Sequence, residues 1–127
     1  MALPQSHRLR GQRPFSTLDR KGRASHGPFL VLRWLPARPE LLPPCQRRHP
    51  ASPWRAGVVV STKVHKRAVQ RNRLRRLLHA QLLSLPIANT DSPVWLLISL
   101  KPGSAERERG ELLGECQQLL QRAGLTP

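Results

Sequence analysis

A chain of 127 residues with 22 Lys and Arg against 7 Asp and Glu carries a formal charge of +15 and has room for one domain around one modest core. Its longest apolar run, near Val94–Leu100, is far too short to span a bilayer, and Cys45 and Cys116 are too few for a disulfide framework, so a reducing cytoplasm is the simpler setting. The excess charge is unevenly placed: Leu41–Thr90 holds ten basic residues and no acid, whereas Asp91 to the end holds five acids and four bases. A basic middle of this kind expects a polyanion.

In chain order, the N-terminal arm carries Arg8, Arg10 and Arg13, and Pro4 and Pro14 interrupt any long amphipathic helix that a transit segment would need. Pro14–Lys21 reads as a short helix stopped by Gly22. Phe29–Leu35 is an apolar strand, and Pro36–Pro53 is a Pro-rich, irregular connection. Cys45 and His49 within it have a metal-like spacing, but no second pair completes a site. Arg55–Ser61 is a β-branched strand that turns Ala56, Val58 and Val60 one way and Gly57, Val59 and Ser61 the other.

The next segment, KVHKRAVQRNRLRR at Lys63–Arg76, is the most informative. Its cations recur like a helix surface that runs on to about Leu85, before Pro86. Leu74, Leu77, Leu78, Gln81 and Leu85 fall on one mostly apolar face. Asn72, Arg73 and Arg76 fall opposite, with Arg71 and Arg75 at the edges. Arg dominates, and its planar fork matches phosphate oxygens in pairs and stacks on bases. The candidate nucleic-acid-binding residues are therefore Lys63, Lys66, Arg67, Arg71, Asn72, Arg73, Arg75 and Arg76. The apolar side of this helix lacks Trp and Phe, which argues against a membrane-surface role.

Asn89–Pro93 is a turn and Val94–Leu100 a buried strand. Ser104 opens a final helix whose stripe is Leu112, Leu113, Cys116, Leu119, Leu120 and Ala123, ended by Gly124. Strand, basic helix, strand makes a βαβ unit, so the sheet contains parallel strands. With helices from both ends covering one sheet face, the other face is left partly open to an extended nucleic-acid strand.

Protein-centred phosphodiester hydrolysis needs clustered carboxylates for metal ions or a histidine acid–base couple. The basic half has no carboxylate, and His7, His26, His49, His65 and His79 show no ligand pattern. The residues alone thus expect no catalytic group and no metal site on the protein. A DNA-binding module ranks below RNA binding, because Asn72 is the one obvious base reader in the arginine block.

The stretch RAGVVVSTKVHKRAVQRNRLRRLL resembles the signature of the bacterial ribonuclease P protein component: a strand ending in Ser-x-Lys, here Ser61 and Lys63, then a helix with R-N-R-x-[KR]-R, here Arg71, Asn72, Arg73, Arg75 and Arg76. HRLRGQRPFSTLDRKG at His7–Gly22 is similar to the family's opening, and WLLISLKPG at Trp95–Gly103 to its last strand and turn. The resemblance implies an α+β domain spanning residues 1–127, with a mixed four-stranded sheet and a left-handed crossover through the basic helix. It implies an RNA-binding subunit of a ribonucleoprotein endonuclease, whose catalytic RNA removes the 5′ leader of precursor tRNA. The implied partners are that RNA and precursor tRNA, with no membrane and no obligatory protein partner. The Mg²⁺ would be held by RNA and substrate. A leader-binding cleft would use Phe15, Phe29 and Lys63. Asp19 stands where a second aromatic is common, Thr62 where a second Lys is, and Tyr is absent. The competing expectation is a ribosomal or RNA-assembly protein without catalytic association.

Overall fold

The computed structural model describes residues 7–9, 12–37, 54–87 and 93–126. Arg10, residues 38–53 of the expected Pro-rich connection with Cys45 and His49, and residues 88–92, where a turn is expected, lie outside them. Four strands, β1 (Arg23–His26), β2 (Leu30–Pro36), β3 (Trp54–Val59) and β4 (Val94–Leu100), form one sheet in the order β1-β2-β4-β3. The β1–β2 and β2–β4 pairs are antiparallel, and β3–β4 is parallel. The helices among the described residues are α1 (Gln12–Lys21), α2 (Ala68–Ser84) and α3 (Arg109–Arg122). The strand–helix–strand unit expected around the basic segment is therefore β3–α2–β4, and its strands are parallel neighbours.

The period of two along each strand divides the side chains between two packed layers. Leu30 and Leu32 of β2, Trp54, Ala56 and Val58 of β3, and Leu96 and Ile98 of β4 join Leu78 and Leu82 of α2 and Leu112, Cys116, Leu119 and Leu120 of α3. On the other face, Leu35, Trp95 and Leu97 pack with Leu9 and with Leu18 of α1. Burial on both faces explains why β4, central in the sheet, reads VWLLISL without alternation. It also corrects one expectation: the helices from the two chain ends cover opposite faces, α1 on one and α3, with α2, on the other. Cys116, buried in the α3 layer, has its thiol pushed up to about 12 by burial and by neighbouring Glu115, which makes it a packing residue rather than a nucleophile.

Three local departures have physical reasons. The chain does not enter the helix at Lys63 but turns first, with the Val64 N–H donating to the Ser61 carbonyl at 3.0 Å and the Val64 side chain buried. Lys63, Lys66 and Arg67 thus stand on the approach to α2 rather than on it. The last helix is divided, with a 3₁₀ turn at Ser104–Glu106 and α3 starting at Arg109. Finally, β1 is an edge strand of mostly exposed residues, held by its pairing with β2. Glu115 of α3 secures the turn between them by accepting hydrogen bonds from the Phe29 and Leu30 N–H groups, and the Lys101 ammonium donates to the Gly27 carbonyl at 2.8 Å. Gly124, at φ 75°, ends α3 in the left-handed conformation that glycine adopts freely.

Candidate nucleic-acid interface

The approach to α2 is built around Arg71. Its Nη1 donates to the His65 carbonyl at 3.0 Å and the Lys66 carbonyl at 2.9 Å, while the Arg67 N–H donates to His65 Nδ1 at 3.0 Å. One turn on, Arg75 Nη1 donates to Asn72 Oδ1 at 2.6 Å. Arg71, Asn72 and Arg75 therefore spend hydrogen-bonding capacity inside the protein. Arg71 is foremost a clamp that shapes the loop, a role invisible in the sequence because its acceptors are backbone carbonyls. Lys63, Lys66, Arg67, Arg73 and Arg76 are exposed, and among the described residues no hydrogen bond or ion pair occupies their side chains. They are the cations left to meet phosphates.

The N-terminal arm enters beside β3. Arg8 bridges to Ala56, the Leu9 N–H donates to the Ala56 carbonyl at 3.0 Å, and buried Arg55 donates to the Arg8 carbonyl at 3.1 Å. His7 stacks on Trp54 with ring centroids 4.1 Å apart. Arg8 is thus partly a structural residue of the sheet edge, and Arg13 is exposed on α1. His79 faces this edge from α2. Burial, then the nearby charges of Arg8 and Arg75, lower its pKa and keep the ring neutral.

The second sheet face has a covered and an uncovered part. By register, Arg33, Leu97 and Gly57 form one row across it, and Val31, Ser99 and Val59 the next. Phe15 of α1 lies over Gly57 so closely that a Cβ there would sit 2.5 Å from Phe15 Cε1. Gly57→Ala is accordingly expected to displace the ring and destabilise the domain by about 1–3 kcal/mol, measured by urea unfolding; unchanged stability would show that the ring yields freely. In the next row, Val59 is 41% exposed and Ser99 half-buried. Lys63 follows shortly after the end of β3. Val31, at the other end of that row, is buried, so the row opens only at Val59. This corner has the elements of a cleft: an aromatic wall, an exposed strand edge at Val59 and a cation shortly beyond it. Asp19 extends from α1 to within 4.0 Å of Arg33, a long contact between an exposed carboxylate and a partly buried guanidinium, of little energetic weight.

The structure does not bring Phe29 into this corner. Phe29 packs against the α2–α3 layer on the opposite face, with the Arg107 guanidinium 5.0 Å from its ring centroid. The sequence expectation groups it with Phe15 as one of two phenylalanines; Phe29 instead lies just before β2, in the turn whose Phe29 N–H is held by Glu115 of α3, and its ring joins that layer. Two further cations escaped sequence reading. Arg107 and Arg109 lie in the charge-balanced C-terminal third, yet fold against α2 and line a groove with Arg73 and Arg76. No group of three or more His, Cys, Asp and Glu that could hold a metal occurs among the described residues. No helix among them is long and apolar enough to cross a membrane.

The family model described as Ribonuclease P matches residues 3–124. The ribonuclease P protein component of Parasynechococcus marenigrum is 52% identical over 126 residues, with 98% of each chain covered. That of a Synechococcus species is 50% identical over the whole of both chains. Among solved structures, the Staphylococcus aureus RNase P protein superposes with a TM-score of 0.75 at 15% identity, covering 95% of this chain and 98% of the other. The Thermotoga maritima RNase P protein gives 0.68 at 18% identity, covering 91% and 96%. At such identities the structural matches establish the fold.

Proposed function

Because this chain belongs to the ribonuclease P protein family, we propose that α2 and the loop before it dock on the ribonuclease P RNA, while the corner of Phe15, Val59 and Lys63 receives the 5′ leader of precursor tRNA. Family membership makes it the protein component of the holoenzyme that cleaves precursor tRNA, with the RNA subunit as its partner. The residue assignments are the proposal. The observation that carries them is the set of cations, Lys63, Lys66, Arg67, Arg73 and Arg76, gathered on one loop and one helix with no carboxylate partner among the described residues.

In this reading the protein contributes positioning and charge. Two RNAs brought together repel, and fixed guanidinium and ammonium groups at their junction offset that repulsion. Mg²⁺ belongs to the RNA and its substrate, where it would supply the hydrolytic chemistry. The work is proposed to take place in the cytoplasm, where the transcript is met.

The cleft assignment is tested by comparing precursor with mature tRNA, which lacks the leader. Phe15→Leu keeps an apolar side chain over Gly57 and removes the ring; Lys63→Ala removes the charge. Each is expected to weaken holoenzyme binding of precursor tRNA by roughly fivefold, the low end of what one stacked base contributes, and to leave mature tRNA unaffected. Equal losses for both ligands would remove the leader from this corner.

A further inference from the structure

Between α2 and the start of α3 runs a groove of about 600 Å³ whose polar lining is His65, Gln70, Arg73, Arg76, Arg107 and Arg109. Its apolar lining is Leu74, Leu77, Ala80, Ala105 and Leu112. Among the described residues no carboxylate lines it. Arg107 is steadied at the rim by the Phe29 ring, 5.0 Å away. Leu77, which helical periodicity assigns to the core, is only half-buried and stands outside the packed layer, so it serves the groove instead.

We infer that this groove takes a single unstacked nucleotide of the ribonuclease P RNA, its base against the leucines and alanines and its phosphates on the arginines. The inference rests on the reading that α2 docks on that RNA. A phosphate alone would use the guanidinium groups but not the apolar lining. A paired RNA helix presents phosphates outward and keeps its bases stacked inside, leaving the same lining wet. An unstacked nucleotide supplies both halves, a flat apolar base and an anion. Arg is also the cation suited to both, since it pairs with phosphate oxygens and stacks on a base face.

Ala80→Phe, and independently Ala105→Phe from the opposite wall, fill the groove without removing a cation. Each variant is first checked for an unchanged melting temperature, so that one can serve if the other folds poorly. The expected result is a loss of affinity of the full-length protein for ribonuclease P RNA, roughly five- to a hundredfold, with the slope of log affinity against log salt preserved. Folded variants that bind with the parent affinity would overturn the inference and leave the groove to an acidic protein partner. A loss that comes with a flattened salt slope would overturn it as well, because displaced cations would then be the cause. The double variant Arg73→Ala/Arg76→Ala separates this from the underlying reading: if it too binds normally, docking through α2 is what fails.

Discussion

Replacing Arg73 and Arg76 together with Ala should weaken binding of ribonuclease P RNA by about 30-fold near physiological salt, and should flatten the slope of log affinity against log salt by roughly one to two units. Both side chains are exposed and have no partner among the described residues, so thermal stability should stay within a degree or two of the parent. Arg71→Ala should behave differently although it belongs to the same motif. Losing the two hydrogen bonds to the His65 and Lys66 carbonyls frees the loop that carries Lys66 and Arg67. RNA binding and stability should then fall together. Unchanged affinity and slope in the Arg73/Arg76 double variant would exclude this helix as the docking surface.

The second large effect concerns the core beneath those arginines. Leu78 is fully buried between α2 and the sheet, and Leu78→Ala should cost about 2–5 kcal/mol in urea unfolding. Leu77, its chain neighbour, borders the groove and should cost roughly 1 kcal/mol or less when shortened. Equal losses at the two positions would mean that Leu77 belongs to the packed layer after all.

That contrast marks how far the sequence could be read. Helical periodicity picked out Leu74, Leu77, Leu78, Gln81 and Leu85, but the helix centres its contact on Leu78 and Leu82. The stripe is wide enough to allow either rotation, and the choice is made by α3, which packs beside α2 from far along the chain. The strands were more legible. Val94–Leu100 is apolar but for Ser99 and, at seven residues without alternation, reads as a buried strand, and Val58 and Val60 alternate inward against exposed Val59. The short edge strand Arg23–His26 has neither signal, since its residues are mostly exposed and it exists through pairing with β2. The R-N-R-x-R-R block identified the chemistry of the interface. It did not show that Arg71 and Arg75 turn inward to loop and side-chain oxygens, or that Arg107 and Arg109 join Arg73 and Arg76. The Arg71 and Arg75 contacts are local, but a sequence does not mark which nearby oxygen a guanidinium will take; the grouping of Arg107 and Arg109 with Arg73 and Arg76 depends on tertiary approach, which no local spacing encodes.

The central claim is that this protein lends position and charge to an RNA catalyst and no catalytic group of its own. Precursor-tRNA cleavage, followed across a Mg²⁺ titration with the cognate ribonuclease P RNA, with the protein, and with both together, tests it most directly. The account predicts no cleavage by the nuclease-free protein at any Mg²⁺ concentration, and a lower Mg²⁺ requirement for the RNA once the protein is added. Robust cleavage by the protein without RNA, or an unchanged Mg²⁺ requirement for the complex, would contradict it.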